Sequence, residues 1–160
     1  MNYEDKILKL IKNGYITTKE VSEYNIPRIY LTKLIRKNKI ERASRGIYVK
    51  KNNFIDDFTL LQSKSKNAIF SNTTALYLHG FSNRIPLKYD ITINVGYNGS
   101  LQKNNKVNLF YTKKELLNLG ITYHKLDNGN KIKVYDLDKT ICDIIKNKKR
   151  LDPELFNKAI

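Results

Sequence analysis

The stretch from Ile16 to Lys50, ITTKEVSEYNIPRIYLTKLIRKNKIERASRGIYVK, constrains this chain more than any other. Thr17 and Glu20 stand three residues apart, the spacing of a capping box, in which each side chain satisfies a backbone N–H that the first turn of a helix leaves free. The helix they open carries Val21 inward and stops around Tyr24-Asn25. Pro27 suits the first turn of a following helix, where its missing N–H costs nothing. Leu31, Leu34 and Ile35 form the expected buried stripe of that helix, and Asn38 is its expected stop. Ile40 to Lys50 then reads as two short strands turning at Ser44-Arg45-Gly46. Upstream, Tyr3, Ile7, Leu10 and Ile11 share one helical face, closed by Asn13-Gly14. Three helices and a hairpin, in that order, predict a winged helix-turn-helix. The first two helices build a small core, and the corner at Tyr24-Asn25-Ile26 sets the third at an angle.

Charge concentrates on the same stretch. The whole chain of 160 residues carries 30 Lys and Arg against 15 Asp and Glu, a net charge of +15. Lysine, asparagine, isoleucine and tyrosine are all abundant, which an AT-rich coding bias would produce without any binding role. Bias does not explain clustering. Residues 27–51 hold nine basic residues (Arg28, Lys33, Arg36, Lys37, Lys39, Arg42, Arg45, Lys50, Lys51) and one acid, Glu41. Ordinary solvated faces mix signs, whereas a polyanion partner favours one sign. The expected partner is double-stranded DNA, with the third helix in the major groove. Arg28 and Tyr30 are candidates for contacts at or near the bases. Thr32, Lys33, Arg36 and Lys37 lie off the apolar stripe, the three cations facing phosphates. Arg42, Ser44 and Arg45 belong to the hairpin, whose tip can reach a neighbouring groove or backbone.

The domain reading is 1–53 for the winged helix and 54–160 for a larger domain, with Asn52-Asn53 as the junction. Residues 54–66 form an amphipathic segment. Ser71 is placed to cap a helix running through His79 to Gly80. Asp90–Val95 alternates as a strand, residues 96–105 form a polar loop, and Val107–Tyr111 is a second strand. Lys113–Asn118 is a short helix ended by Gly120. Residues 121–135 read as a hairpin turning at Asp127-Asn128-Gly129. Asp136 or Asp138 caps a helix bearing Leu137, Ile141, Ile144 and Ile145, and Asp152-Pro153 opens a last one. The fold class is therefore α+β: a winged helix-turn-helix, then a mixed α/β domain with a small, mostly antiparallel sheet.

Little in the sequence suggests catalysis or a cofactor. His79, His124 and the single Cys142 have no metal-ligand spacing, and Cys142 is expected on the apolar side of its helix. No glycine-rich phosphate loop is present. Asp90 is the one carboxylate placed as a nuclease would want it, and without an acidic partner it reads as a strand-edge residue. Asp136, Asp138 and Asp143 read as caps and helix surface. The expectation is no enzyme, no metal and no cofactor. One cysteine permits no internal disulfide, no run approaches the ~20 apolar residues of a membrane helix, and the N-terminus lacks a signal peptide's apolar block. A cytoplasmic location without membrane partners is expected.

The segment Ile16–Lys50 resembles the N-terminal winged helix of AbiEi-type antitoxins, of the type IV abortive-infection toxin–antitoxin systems. AIFSNTTALYLHGFSNRIPLKYDITINVGYN, Ala68–Asn98, resembles the opening of their second domain. VYDLDKTICDIIKNKKRLDPELFNKAI, Val134–Ile160, resembles their closing helices, with Asp138, Thr140 and Asp143 in register. The resemblance implies a phage-defence antitoxin that represses its own operon by binding inverted repeats in the promoter. It also implies a nucleotidyltransferase-like toxin as functional partner, with no stable complex required. Arg28, Lys33, Arg36, Lys37, Arg42 and Arg45 would face DNA. Members of that family continue for several helical turns further, so the resemblance implies a trimmed or truncated relative. Two other readings stay open: a stand-alone winged-helix regulator with a ligand- or partner-sensing C-terminal domain, and a nucleic-acid-processing enzyme.

Overall fold

The structure, a computed structural model, describes Asn2 to Ala159; Ile160, at the end of the expected last helix, lies outside the described residues. The chain forms two compact units, Met1–Leu60 and Leu61–Ile160.

The first unit runs α1 (Tyr3–Leu10), β1 (Tyr15–Thr17), α2 (Thr18–Glu23), α3 (Ile29–Arg36), β2 (Ile40–Ser44) and β3 (Ile47–Lys50). This is a winged helix-turn-helix. Its core gathers Ile7, Ile11, Ile16, Val21, Ile26, Leu31, Leu34 and Ile40, at least one from each helix. Burying each such side chain contributes about 1.5–3 kcal/mol, which is how so small a unit holds three short helices. The capping box is formed: the Glu20 N–H donates to Thr17 Oγ1 at 3.2 Å and the Thr17 N–H to Glu20 Oε2 at 2.8 Å.

Asparagine closes both α2 and α3. Asn25 (φ 54°) and Asn38 (φ 52°) take the left-handed conformation. After α2 the Ile26 N–H bonds to Val21 O and the Asn25 N–H to Ser22 O; after α3 the Lys39 N–H bonds to Leu34 O and the Asn38 N–H to Ile35 O. Each pair is a Schellman closure, which uses otherwise orphaned carbonyls. The first of them makes the helix-turn-helix corner tight enough to bury Ile26.

Three local readings change. Pro27 precedes α3 rather than sitting inside it, with Arg28 as N-cap. Ile35 is 37% exposed, because Leu31 and Leu34 alone fill the helix's share of so small a core. The third concerns β1, three residues too short to leave a periodic signal. It pairs antiparallel with β3 (Tyr15↔Val49, Thr17↔Ile47) and makes the hairpin a sheet of order β1-β3-β2.

The second unit follows α4 (Asp57–Ser63), inside which the division between the units falls. Its elements are β4 (Ile69–Phe70), α5 (Asn72–Leu78), β5 (Tyr89–Asn94), β6 (Val107–Thr112), α6 (Lys114–Leu117), β7 (Ile121–Lys125), β8 (Lys131–Tyr135), α7 (Leu137–Lys146) and α8 (Pro153–Ala159). The sheet order is β6-β5-β4-β8-β7. The α+β class is as read, but this sheet is evenly mixed rather than mostly antiparallel: β4–β5 and β7–β8 run antiparallel, β5–β6 and β4–β8 parallel. Residues 95–106, with a 3-10 turn at Ser100–Lys103, act as a crossover between parallel β5 and β6. A polar loop looks the same in sequence whether it reverses or crosses over; parallel neighbours need about a dozen connecting residues. The two-residue β4 was not legible, yet it is the middle strand.

Asp90 is not a strand-edge residue. β5 has neighbours on both sides, and Asp90 is 2% exposed. Its Oδ2 accepts from the Thr73 N–H at 3.1 Å and from Thr73 Oγ1 at 2.5 Å, and its Oδ1 accepts from Asn108 Nδ2 at 3.1 Å. Ser71 occupies the N-cap position of α5 without a side-chain cap bond. The free N–H of the first turn is met instead by Asp90, from the sheet. On α7, Asp136 is the N-cap, accepting from the Lys139 N–H at 2.8 Å. Asp143, expected on the surface, is buried and paired with Lys139, while Cys142, expected on the apolar side, is exposed. Thr140, Asp143 and Ile144 are the buried residues of α7.

Candidate nucleic-acid interface

The nine sequence candidates fall on α3 and the hairpin. Leu31 and Leu34 fix the inward side of α3. At 100° per residue the opposite side carries Ile29, Thr32, Lys33 and Arg36, spaced i, i+3, i+4 and i+7, and all four are exposed. The first turn contains no acid, while Lys33 and Arg36 lie in the last turn. Arg36 makes no ion pair among the described residues; Lys33 Nζ sits 4.6 Å from the centroid of the Tyr30 ring.

Two candidates turn toward α1. Tyr30 is half-buried against the first unit's core, its ring 4.9 Å from that of Tyr3. Lys37 Nζ lies 2.8 Å from Glu4 Oε2, one of two bonds it gives that carboxylate. Both lie on the flank of α3, about a third of a turn from Arg36 around the axis. Arg28, on the other flank, donates from Nε to Ser22 Oγ at 3.3 Å.

On the hairpin, Arg45 is exposed at the tip beside Gly46, whose φ of +76° supplies the left-handed residue that so tight a turn requires. A bulge between Arg42 and Ser44 shifts the register there. Arg42 bends back, its Nε donating to Ser44 O at 3.3 Å, and Ser44 itself is half-buried. The one acid of the basic stretch, Glu41, pairs with Lys51 at 3.3 Å.

Hairpin tip and α3 are tied to the same short helix. The Thr18 N–H donates to Gly46 O at 2.9 Å, Ser22 Oγ donates to Thr18 O at 2.9 Å, and Arg28 reaches Ser22. A Cβ on Gly46 would stand 3.1 Å from Thr18 Oγ1, so the tip is closely seated. The span from Thr18 to Ser22 is one helical turn, about 6 Å. The start of α3 and the wing are thus joined through α2, with Arg28 at one end of this chain of bonds and Arg45 beside the other. Sequence reasoning passed over Ile29, which is 56% exposed on the outward side. The signal was present: a helical wheel centred on Leu31 and Leu34 places it opposite the core.

The second unit offers different chemistry. A cavity of about 640 Å³ is lined by Phe81, Ile85, Leu87, Arg84, Lys88 and Arg150, among others, with Asp90 and Asn108 also lining it. Burial raises the Asp90 carboxyl above its usual range, opposed by the hydrogen bonds from Thr73 and Asn108 and by the charge of Arg150. His79 is committed to structure, its Nε2–H donating to Tyr135 O at 2.8 Å, since a carbonyl can only accept. Among the described residues no group of three or more His, Cys, Asp or Glu could hold a metal ion. Among them, too, no helix is long and apolar enough to cross a membrane.

Residues 5–49 match the family model described as transcriptional regulator, AbiEi antitoxin. The match spans most of α1 through β3, in agreement with the resemblance of the N-terminal segment. Among solved structures, the RV2827C protein from Mycobacterium tuberculosis is similar in fold, with a TM-score of 0.58 at 11% identity, over 94% of this chain and 62% of that one. At that identity the likeness is one of fold alone, and this chain spans less than two thirds of that protein. No curated protein matches the chain.

Proposed function

We propose that this chain is a winged-helix transcriptional regulator and antitoxin of a type IV toxin–antitoxin system, acting in the cytoplasm, whose first unit binds inverted repeats in its own promoter and represses the operon. The observation that carries this reading is the cationic outward side of α3, where Arg36 has no ion pair among the described residues and Lys33 leans on Tyr30, joined through α2 to Arg45 on the wing. Free cations gathered on one small unit suit the evenly spaced phosphates of a duplex, and their freedom means that binding need break no internal ion pair. Arg28, Thr32, Lys33, Arg36, Arg42, Ser44 and Arg45 form the contact set. Tyr30 and Lys37 support α3 from the α1 side. The match of residues 5–49 to the AbiEi antitoxin regulators points the same way. The second unit is assigned the antitoxic role against a nucleotidyltransferase-like toxin, and the chain is not assigned an enzymatic one.

The test is a mobility-shift titration of the full chain on its promoter duplex, with a rescue assay in cells expressing the neighbouring toxin from an unrelated promoter. Salt-sensitive promoter binding together with rescue is expected. Binding without rescue would favour the second reading, a regulator whose C-terminal unit senses a ligand, for which the 640 Å³ cavity is the specific observation. Absence of duplex binding at low salt would overturn the DNA-reading role itself.

A further inference from the structure

The outward side of α3 is not uniformly cationic. Ile29, the first residue of the helix, is 56% exposed, with Thr32, Lys33 and Arg36 on the same side. A single exposed apolar side chain is unremarkable in itself. This one occupies the first turn of the helix that the proposed function sends into the major groove. It also lies on the axis of the face whose cations would hold the phosphates on either wall.

We infer that Ile29 is a specificity-determining residue that selects a thymine by contact with its C5-methyl group; the inference rests on the DNA-reading role proposed above. The major-groove edges of the four base pairs present hydrogen-bond donors and acceptors and one apolar group, the thymine methyl. A branched aliphatic side chain has no donor or acceptor. Placed against N7 and O6 of guanine or N4 of cytosine, it strips water from polar atoms and returns nothing. Against the thymine methyl it removes two apolar surfaces from water together. Thr32, one turn along, presents both a hydroxyl and a methyl to the adjoining position. Arg36, a further turn along, is long enough to stay on the phosphates while Ile29 lies at the groove floor. Ile29 has no competing role in the fold, since the core of the unit closes over Leu31 and Leu34 without it.

The measurement separates the methyl group from the hydrogen-bonding pattern. An operator is first selected from random duplexes by the full-length chain, and each thymine is then replaced in turn by uracil, which lacks only the C5-methyl. Burial of one methyl corresponds to about a fourfold change in affinity. The wild-type chain is expected to lose about fourfold at one thymine per half-site. Ile29→Ala is expected to keep its fold and its salt dependence, and to bind thymine and uracil at that position within twofold of each other. With cytosine placed at that position, its conversion to 5-methylcytosine should improve binding by the same factor for wild type alone. Equal affinity of wild type for thymine and uracil at every position overturns the inference while leaving DNA binding intact. So does a methyl preference that survives in Ile29→Ala. Failure to select any duplex would refute the DNA-reading role and the inference with it.

Discussion

Arg36 and Lys37 are neighbours with the same charge, and the structure gives them different work. Arg36 is exposed and has no ion pair among the described residues, whereas Lys37 is held 2.8 Å from Glu4, with side-chain exposures of 59% and 16% for the pair. Each phosphate neutralised on a duplex contributes about −0.9 to the slope of log affinity against log salt. Among the described residues, Arg28, Lys33, Arg36, Arg42 and Arg45 are the cations of the contact set, and none is paired with a carboxylate, so the expected slope is about −4.5 per bound protomer. Doubling the salt should then weaken binding about 23-fold. Arg36→Ala should bring the slope to about −3.6, so that the same doubling costs about 12-fold. Lys37→Ala should leave the slope near about −4.5, because its charge is already matched by Glu4. Its cost is to folding instead, about 1 kcal/mol, since the pair is open to solvent at its lysine end. Fluorescence anisotropy of a labelled promoter duplex against potassium chloride, with the full-length variants, reads all three slopes. Equal slopes for the two variants, or the larger change in Lys37→Ala, would refute the division of the face.

Three other outcomes follow from geometry. Thr17→Ala removes the hydroxyl that caps α2 at 3.2 Å and should cost about 1 kcal/mol in urea denaturation; no loss would mean that Glu20 and water hold that turn alone. Tyr135→Phe deletes the bond from the buried Tyr135 hydroxyl to Leu117 O at 2.7 Å. It leaves that carbonyl without this donor, for about 1–3 kcal/mol, and an unchanged melting temperature would contradict it. Burial raises the Asp90 pKa above 3.8, so between 3.8 and the raised value the folded chain holds more protons than the unfolded one. Its contribution to stability must therefore fall as pH rises through that window. Asp90→Asn, which cannot ionise, should lack that decline, and parallel curves of unfolding free energy against pH for the two proteins would show the reasoning to be wrong.

The sequence by itself determined what depends on neighbours along the chain. Thr17 with Glu20 and the hairpin turns at residues 45–46 and 127–129 are contacts across two to four residues. Residue type alone specifies them, and the stripe of Leu31 and Leu34 follows from helical period. The cationic stretch was equally open to reading, because charge needs no fold to be counted. Only the tertiary structure decided which charges were free. Lys37 meets Glu4 across 33 residues and Asp90 caps α5 from 17 residues away. The sheet of the second unit turns on β4, a strand too short to have a period of its own. Each of these depends on parts of the chain brought together by burial of apolar surface, a force without direction or sequence range. Local pattern therefore forecasts the elements, and packing settles which of their side chains remain available to a partner.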